Sequence, residues 1–329
     1  MPSLKTLIRI IRNSRRIVIA PHIDPDGDGI SAALACAYLV KNYKATRPVL
    51  YCHSSLPARY QIILHNWEFT KRFPYFYLLI VVDSAGISRV FPNISQKEIA
   101  KLREKAILNI DHHRSNDAFG ALQIVDEHAS STCEIVYRLF AKLHLKISKR
   151  LAEIFYCGIY SETGGFVYPN TTREVLQMAS ELVDLGVKPS QLVKKINAKT
   201  LGGTLLLSKV LNTIEIINGV GIMHLTQEML EKSYAQMPDS ENFVSFLQAI
   251  NGVRISMFLR EEKGKTRISL RSDGIMDVDK LARRFGGGGH RLAAGLRLAT
   301  DIKTAKKKIL SAILLELKKK HARLDKSRR

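Results

Sequence analysis

The stretch RRIVIAPHIDPDGDGISAALACAYLVKNY, residues 15–43, carries the pattern that decides the fold. Its first part, RRIVIAPH, is a short apolar run rich in β-branched residues, which is typical of a buried strand. Its last part, from Gly29 to Tyr43, has the composition and length of a helix. Between them, HIDPDGDG places three acids at alternate positions behind a histidine. The stretch therefore predicts a strand, a polar loop and a helix in succession.

Further apolar runs repeat this alternation. RPVLYCH (47–53), YLLIVVDS (77–84) and AILNIDHH (106–113) each predict a strand, and helices are expected at 95–105, 130–145 and 148–160. Strands that alternate with helices indicate an α/β domain with a mostly parallel sheet and helices on both faces. Functional groups collect at the carboxyl ends of such strands. Three strands end in His22, Asp83 and Asp111-His112-His113, so we expect these side chains to meet.

The pattern changes after about residue 200. VGIMHL (220–225), GVRISMFLRE (252–261) and KTRISLRS (265–272) predict strands, the last two joined as a hairpin. Residues 278–295 predict a helix that runs into a glycine loop, and residues 302–320 predict an amphipathic helix. We therefore expect an α/β domain over 1–186, a helical linker over 187–215, and a smaller α+β domain over 216–329 with a basic tail.

Composition limits the class of partner. The 329-residue chain has a net charge of +21, which favours an anionic partner such as nucleic acid, nucleotide or phosphate. Part of this charge lies in KKKHARLDKSRR (318–329), where a solvated end and an RNA contact are equally good interpretations. No apolar run reaches bilayer length, and the N-terminus predicts an amphipathic helix rather than a signal. Four scattered cysteines favour a reducing cytoplasm.

The acidic loop has two interpretations. Asp24, Asp26 and Asp28 begin like a calcium loop of the EF-hand kind. Such a loop needs a bidentate glutamate at its twelfth position, which is Ala35 here, so this interpretation fails at its strongest ligand. The other interpretation includes the histidine before the loop and the acids and histidines at the ends of other strands. It predicts a site of mixed imidazole and carboxylate ligands.

This second set suits a pair of divalent ions. The candidate ligands are His22, Asp26, Asp28, Asp83, His112 and Glu162. Oxygen ligands are typical of ions that act on phosphate, and added imidazole favours manganese, iron or cobalt. Two such ions about 3.5–4 Å apart activate a water and stabilise charge on the attacking and leaving oxygens of a phosphoester. The set therefore predicts phosphoester hydrolysis.

Three motifs occur in one order along the chain: His22-x-x-x-Asp26-x-Asp28, the strand-terminal Asp111-His112-His113, and the late GGGGHRLAAG. Together they resemble the DHH phosphoesterase superfamily, in the branch with a DHH-associated C-terminal domain. The resemblance covers nearly the whole chain. The compact length is similar to the nanoRNase/pAp phosphatase group. This implies hydrolysis of short oligoribonucleotides to mononucleotides, or of 3′-phosphoadenosine 5′-phosphate to AMP.

The resemblance also implies residue roles. One ion would be held by His22, Asp26 and Asp83, and the other by Asp28, Asp83 and His112. Both ions are expected to be Mn²⁺, with Asp83 bridging them. His113 would face the scissile phosphate, and Asp111 would orient the histidines. Glu162 stands where the family usually has aspartate, so it would coordinate directly, loosely or through water.

In the family, the C-terminal domain binds the non-scissile end of the nucleotide. The residues to which this role transfers are Arg271, Ser272, Gly287, Gly288, Gly289 and His290. Glycine amides approach an anion closely, and a histidine adds a donor. Arg114 and Asn116, just after the DHH motif, are equally suited to touching phosphate and to capping their turn, and Arg114 is kept as a substrate-binding candidate.

Several alternatives stay open. The nearest is a phosphodiesterase for cyclic di-AMP or a linear dinucleotide in signalling. A pyrophosphatase would not need the nucleotide-binding loop, and a RecJ-type exonuclease would need further nucleic-acid domains. A non-catalytic RNA-binding protein with a degenerate metal site is the rival of another class. We expect a cytoplasmic enzyme without a membrane partner, and a homodimer is considered for its assembly.

One aromatic cluster also has two interpretations. Trp67 and the run Phe73, Tyr75, Phe76 and Tyr77 would serve either as core packing or as a platform on which nucleic-acid bases stack. Core packing is the preferred interpretation, because large aromatic side chains more often contribute buried area than ligand contacts. The two interpretations differ in the solvent exposure that they predict for these side chains.

Overall fold

The structure is a computed structural model. It describes residues 3–92, 94–103 and 105–327, without the side chains of Gln96, Arg103, His290 and residues 319–327. The chain forms two compact units, Met1–Ala198 and Lys199–Arg329. This boundary falls inside the segment that the sequence predicts as a helical linker. The division into 1–186, 187–215 and 216–329 stays a prediction.

The described residues of the first unit form six strands and eight helices. The strands are β1 (Ile17–Ala20), β2 (Val49–Tyr51), β3 (Phe69–Thr70), β4 (Leu78–Val82), β5 (Ala106–Asp111) and β6 (Leu122–Val125). The helices are α1 (Leu4–Asn13), α2 (Gly27–Lys41), α3 (Gln61–Leu64), α4 (Gln96–Arg103), α5 (Thr132–Lys142), α6 (Lys149–Glu162), α7 (Arg173–Asp184) and α8 (Pro189–Ile196). Short 3₁₀ turns span Ala58–Tyr60 and Ile87–Arg89.

The six strands form one parallel sheet in the order β3-β2-β1-β4-β5-β6. The predicted α/β class with a parallel sheet is therefore confirmed. The two edge strands were not predicted from the sequence. β3 has only two residues, and β6 is four residues long and mostly half-buried, so neither shows an apolar run.

Alternate residues of the strands enter two separate cores. Ile17 and Ile19 of β1 pack in the larger core together with α2, α5 and α6. Val18 and Ala20 of the same strand pack in the smaller core, where α4 contributes Ile99. Because side chains alternate along a strand, β1 is apolar on both faces. This explains why the central strands appear in the sequence as continuous apolar runs.

The second unit contains the remaining elements. These are α9 (Leu201–Leu211), β7 (Glu215–Ile217), β8 (Val220–Leu225), α10 (Gln227–Lys232), a 3₁₀ turn (Met237–Ser240), α11 (Val244–Gln248), β9 (Ile255–Glu262), β10 (Lys265–Ser272), α12 (Val278–Arg283), β11 (Gly288–His290), β12 (Ala293–Leu298) and α13 (Ile302–Ser327). Its sheet has the order β11-β12-β10-β9-β8-β7, and only the β8–β9 pair is parallel.

One prediction for this unit is wrong. Residues 286–290 were expected to form a glycine loop, but Gly288–His290 is an edge strand that pairs with Ala293–Leu298. Glycine has no side chain to show the alternation of a strand, so only the pairing partner reveals this one. The predicted hairpin of β9 and β10 is present, with Lys265 opposite Glu262.

The aromatic cluster divides between core and surface. Trp67 and Phe76 are buried, and Phe73 packs against the rings of Tyr51 and Phe91. Core packing is therefore the correct interpretation for these residues. Tyr75 and Tyr77 are instead exposed. All four cysteines are buried and free, and no helix among the described residues is long and apolar enough to cross a membrane.

Candidate metal centre

Three of the predicted ligands, His22, Asp83 and His112, follow the carboxyl ends of β1, β4 and β5, which are neighbours in the sheet. From β1 the chain proceeds to β2 and β3 on one side, and from β4 to β5 and β6 on the other. Strand order thus reverses between β1 and β4. A crevice forms outside the carboxyl ends at such a point, and ligands bind there in open α/β sheets. The topology therefore brings His22, Asp83 and Asp111–His113 to a single crevice.

Asp83 is the centre of this cluster. Its Oδ2 atom lies 3.5 Å from Nε2 of His22, and its Oδ1 atom lies 3.5 Å from Nε2 of His112. The Thr132 hydroxyl donates to Oδ1 at 3.3 Å. Burial alone would raise the pKa of Asp83, but the surrounding histidines outweigh it and hold the pKa well below its usual range. Asp83 also adopts a φ of 53° directly after β4, a strained value that such sites often contain.

Backbone contacts fix the tautomers of both histidines. Nδ1 of His22 lies 2.7 Å from the carbonyl oxygen of Ile23, and Nδ1 of His112 lies 3.4 Å from that of Ala129. A carbonyl oxygen only accepts, so each Nδ1 carries a proton and each neutral ring has its lone pair on Nε2. Burial lowers the pKa of both rings, but the nearby carboxylates, Asp83 first, outweigh it and leave both pKa values raised. Nε2 is therefore the atom that each ring offers to an ion.

Asp26 is held at the start of α2. Its Oδ1 atom accepts from the amides of Asp28 at 3.0 Å and Gly29 at 3.1 Å, which makes Asp26 the N-cap. Asp26, His22 and Asp83 each offer a ligand atom within 4.8 Å of the others. The two capping hydrogen bonds therefore hold the Asp26 carboxylate in place beside His22 and Asp83.

Asp28 contacts a helix that begins more than 100 positions later. Its Oδ2 atom accepts from the Thr132 amide at 2.7 Å, and Oδ1 accepts from the Cys133 amide at 2.9 Å, at the start of α5. Its Oδ2 atom also lies 3.9 Å from Nε2 of His112. Burial, followed by the charge of Asp83, raises the pKa of Asp28 to about 7. The helix N-terminus partly compensates this buried charge.

Glu162 reaches the cluster because α2 and α6 approach closely. A Cβ at Gly27 would lie 2.5 Å from Cβ of Ser161 and 2.9 Å from Cε1 of Tyr60, so only glycine fits there. Glu162 is the last residue of α6, and its Oε1 atom lies 4.0 Å from Nε2 of His112. Burial raises the pKa of Glu162, and nearby carboxylates raise it further against the effect of the imidazole.

Asp111 supports His113 through a buried network. Its Oδ1 atom lies 2.7 Å from Nδ1 of His113, and its Oδ2 atom accepts from Nδ2 of Asn116 at 2.6 Å. Nδ2 of Asn116 also donates to Oδ1 of Asn109 at 2.6 Å, and its Oδ1 accepts from the Ala118 amide. Asn116 thus caps its turn and fixes Asp111. Burial alone would raise the pKa of Asp111, but His113 and Asn116 lower it below its usual value.

These donors fit divalent ions. One group that lies within 4.8 Å is His22, Asp26 and Asp83, and another is Asp83, His112 and His113. Asp83 belongs to both, which is the geometry of a shared carboxylate. The candidate ligand atoms are imidazole nitrogens and carboxylate oxygens, a set that suits manganese and related ions. The cluster can therefore hold ions whose charge would compensate the carboxylates.

The remaining candidate of the first unit is Arg114, which directly follows His113. The Arg114 side chain is 82% exposed, and its Nε atom lies 3.6 Å from Oε2 of Glu127. Its role in substrate binding stays a prediction. Thr132, which contacts Asp83, was not predicted from the sequence. The sequence showed the start of α5 but not which strand end that helix faces.

In the second unit, Arg271 and Ser272 end β10. Nη1 of Arg271 donates to the Leu270 carbonyl at 3.0 Å. Oγ of Ser272 accepts from the amides of Gly274 at 3.1 Å and Met276 at 3.3 Å. Ser272 therefore has a structural role in the following turn, and its contact with substrate stays a prediction.

The glycines of the predicted loop have a structural role as well. Gly289 has a φ of 155°, and a Cβ there would lie 2.7 Å from Cα of Ala294. A Cβ at Gly287 would lie 2.6 Å from Cβ of Leu296. The Gly289 amide donates to Oδ1 of Asp279 at 2.8 Å. The sequence predicts that the amides of this glycine run bind an anionic ligand. In the structure, the Gly289 amide instead binds the Asp279 carboxylate. The side chain of His290 lies outside the described part.

Three arginines form a row that the sequence analysis did not identify. Arg260 on β9 pairs in register with Arg267 on β10, which pairs with Arg297 on β12. Arg260 is buried, and its Nη2 atom donates to Oγ of Ser269 at 2.7 Å. Burial and the neighbouring Arg267 lower the pKa of Arg260 to about 9. Like charges opposite each other are destabilising. Side chains alternate along β10, so this row shares a sheet face with Arg271.

Comparison with known proteins agrees with this geometry. Residues 16–159 match the N-terminal domain of the DHH family, and residues 220–319 match the DHHA1 domain. The exopolyphosphatase-related protein of Bacteroides fragilis has a TM-score of 0.83 and 26% identity, with 95% of each chain covered. RecJ of Thermus thermophilus shares the fold at a TM-score of 0.53 and 14% identity, over 95% of this chain and 54% of RecJ.

Two curated relatives match over almost their full length. The bifunctional oligoribonuclease and PAP phosphatase NrnA of Thermus thermophilus is 32% identical, over 92% of this chain and 90% of the relative. The protein of that name from Bacillus subtilis is 31% identical, over 88% of this chain and 91% of the relative. The chain therefore belongs to the DHH family, with the N-terminal domain of that family followed by a DHHA1 domain.

Proposed function

We propose that this protein is a metal-dependent phosphoesterase that hydrolyses short oligoribonucleotides to mononucleotides and 3′-phosphoadenosine 5′-phosphate to AMP. The observation that carries the proposal is the position of Asp83, whose two oxygens each lie 3.5 Å from a histidine, His22 or His112. A carboxylate placed in this way suits a pair of neighbouring ions. The names of the Thermus thermophilus and Bacillus subtilis relatives support the substrate class.

We assign the ligands as the resemblance to the DHH family implies them. One ion is assigned to His22, Asp26 and Asp83, and the other to Asp28, Asp83 and His112, with Glu162 as a further carboxylate. Manganese is the proposed ion, because the donors mix imidazole with carboxylate. Bound ions would supply an activated water and compensate charge on the phosphate. The chain contributes by holding the ligand atoms in fixed positions before an ion binds.

His113 acts on the phosphate in this proposal. Asp111 binds its Nδ1 atom at 2.7 Å, and Asn116 holds Asp111 from the other side. This leaves Nε2 of His113 to face the scissile phosphate. Nε2 would act as a donor here in the imidazolium form of the ring, which carries a proton on each nitrogen, and it would then stabilise negative charge that develops during hydrolysis. Asp111 is therefore a positioning residue for His113.

The second unit is proposed to bind the nucleotide. The groups we assign to this role are Arg271, Ser272, Gly287, Gly288, Gly289 and His290, with Arg114 of the first unit. Arginine suits phosphate through its planar fork of donors. Arg260 and Arg267 add positive charge to the face that carries Arg271, whereas Arg297 is ion-paired with Glu262 at 2.9 Å. The excess of arginine supports an anionic ligand there.

Location and assembly are also proposals. The four free and buried cysteines support a reducing compartment, and we propose the cytoplasm. A homodimer is proposed as the assembly, and analytical ultracentrifugation of the purified protein at several concentrations would test it. A single species of about twice the 37.0 kDa chain mass is expected. A species with the mass of one chain at every concentration would contradict the dimer.

Hydrolysis of an RNA dinucleotide tests the function most directly. The purified protein is incubated with Mn²⁺ and, separately, the dinucleotide, 3′-phosphoadenosine 5′-phosphate and cyclic di-AMP. We expect conversion of the first two, which EDTA abolishes, and no activity of D83N. The matched control is D184N, which removes an exposed carboxylate and should behave as the wild type. Preference for cyclic di-AMP would instead assign the protein to signalling, an alternative that the named relatives do not favour.

The non-catalytic rival makes a different prediction. A degenerate RNA-binding protein would purify without bound ions and would bind RNA equally well with and without chelator. Isothermal titration with Mn²⁺ separates the two proposals. We expect two ions per chain in the wild type and fewer in D83N. Failure to bind any ion would contradict the metal-dependent proposal, whatever the RNA affinity.

A further inference from the structure

The amino ends of the central strands form a surface that the proposed function does not use. Arg16, Tyr77 and Lys105 directly precede β1, β4 and β5, and the register of the sheet places them side by side. Arg47 occupies the same level before β2. Adjacent strands lie about 4.8 Å apart, so the row spans about 14 Å. We name the following residues the amino-end surface: Arg15, Arg16, Arg47, Tyr75, Tyr77 and Lys105.

Two exposed aromatic rings lie at the centre of this surface. Tyr75 is 60% and Tyr77 47% exposed, and their ring centroids are 5.4 Å apart in an edge-to-face arrangement. Nζ of Lys105 lies 5.4 Å from the centroid of the Tyr75 ring. The adjacent Phe76 is buried, so the exposure belongs to the two tyrosines rather than to the whole segment. Exposed rings among cations are the groups on which single-stranded bases stack.

Cations outnumber acids at the amino ends of the strands. Asp24, Asp26 and Asp28 lie beyond the opposite, carboxyl end of β1, whereas Glu68 is exposed at the amino end of β3 and Glu104 precedes Lys105 in the sequence. Among the described residues, no ion pair involves Arg15, Arg16, Arg47 or Lys105. Further exposed or half-buried cations continue along the first two helices and the loop after α2: Lys5, Arg9, Arg12, Lys41 and Lys44. The surface therefore attracts anionic polymers.

We propose that the amino-end surface binds single-stranded RNA. Bases stack on Tyr75 and Tyr77, and the flanking arginines and Lys105 contact phosphates through charge-assisted hydrogen bonds. At a rise of about 3.4 Å per stacked nucleotide, the row accommodates about four nucleotides. A lipid surface is a poorer match, because insertion requires an exposed apolar helix face, and Leu7 and Ile11 of α1 are buried in the core.

This site is separate from the metal centre. Tyr77 and Asp83 bracket β4, and at about 3.3 Å per residue they lie about 20 Å apart along the strand direction. RNA held at the amino-end surface is therefore not in contact with the proposed metal ligands. The inference goes beyond the proposed function, since binding here needs neither metal nor hydrolysis. It predicts RNA binding that is independent of activity on a dinucleotide.

The test is fluorescence anisotropy with a labelled 12-nucleotide oligo(U) RNA, using the full-length protein in EDTA so that no hydrolysis occurs. The test variants are Y75A/Y77A and R15E/R16E. The matched controls are Y234A, which removes a tyrosine that is 95% exposed in the other unit, and K303E/K307E, which makes the same charge change elsewhere. We expect at least tenfold weaker binding in both test variants and less than twofold change in both controls.

Three further measurements complete the test. Thermal denaturation and dinucleotide hydrolysis with Mn²⁺ should be unchanged in Y75A/Y77A, which shows that the variant is folded. Ultraviolet crosslinking of 4-thiouridine RNA to the wild type, followed by mass spectrometry, should identify the peptide with Tyr75 and Tyr77. A 12-base-pair RNA duplex should be insensitive to loss of the tyrosines, because its bases are not free to stack.

Several results would overturn the proposal. These are undetectable binding of oligo(U) by the wild type, equal losses in the test and control variants, and crosslinks confined to other peptides. Binding to vesicles of phosphatidylserine and phosphatidylcholine that Y75A/Y77A abolishes, with RNA binding intact, would identify a membrane contact instead. Failure of dinucleotide hydrolysis with tyrosine-dependent RNA binding intact would contradict only the proposed enzyme function.

Discussion

Asp111→Asn replaces one oxygen of the carboxylate that holds His113 with an amide nitrogen. In the structure, Oδ1 of Asp111 lies 2.7 Å from Nδ1 of His113, and Oδ2 accepts from Asn116 at 2.6 Å. Both neighbours present donors, so an asparagine amide satisfies only one of them. The side-chain amide of Asn116 cannot easily rotate by 180° to present its oxygen to residue 111, because that oxygen already accepts from the Ala118 amide.

The magnitude follows from the bond that is lost. A hydrogen bond to a charged group contributes about 1.5–3 kcal/mol. If the bond supports His113 in the transition state, this loss lowers kcat by about 10- to 150-fold, at about 1.4 kcal/mol per tenfold. The free energy of unfolding should fall by about 1–3 kcal/mol, since a buried donor is left unsatisfied. Neither Asp111 nor Asn116 is assigned to a metal, so metal content should be unchanged.

The assay measures kcat and KM for an RNA dinucleotide, manganese content by mass spectrometry, and urea denaturation. D184N is the control for loss of an exposed carboxylate. N116A removes the second support but keeps the bond to His113, so its effect on kcat should be smaller. A kcat for D111N within threefold of the wild type, at full metal content, would refute the reasoning. Loss of metal from D111N would show that Asp111 acts on the ions.

Three other predictions concern the metal and the packing. Because carboxylates raise the pKa of His112, the metal-free site binds more protons than the loaded one. Mn²⁺ affinity should therefore rise with pH, with proton release measurable by calorimetry in two buffers. E162Q should weaken Mn²⁺ binding at least tenfold in the same titration, whereas E162D, which keeps the charge, should change it less. Gly158→Ala would place a Cβ 2.9 Å from Cβ of Cys133 in the core, so urea denaturation should show a loss of about 1–3 kcal/mol. Gly295→Ala, in an exposed strand position, is the control.

Local patterns predicted most of the fold. The strand bounds 220–225 and 265–272 agree with β8 and β10, because alternation of side chains and a hairpin turn are visible in short stretches. The central strands of the first unit appeared as apolar runs for the same reason. The edge strands β3, β6, β7 and β11 were not predicted, and neither was β12, which lies between β11 and β10. An edge strand exposes one side and relies on its neighbour for pairing, so its own residues carry little signal.

The candidate site could be predicted in part. Parallel strands bring their carboxyl ends to one edge, so the clustering of His22, Asp83 and His112 followed from where each strand ends. Other contacts of the site could not be predicted from the local sequence pattern. The amides that hold Asp28 belong to α5, and the network of Asn116 depends on a side-chain rotamer. The row of arginines requires the register of three strands.

The sequence by itself determined the class of fold, the order of its elements and the chemical types of ligand at the strand ends. These depend on the spacing of apolar and polar residues over a few turns or strand positions. Tertiary structure alone decided that Asp83 lies between two histidines, and that Tyr75 and Tyr77 are exposed while Phe76 is buried. Such contacts join residues that are distant in the chain. Their geometry depends on strand order, register and packing of the whole core, which no local stretch contains.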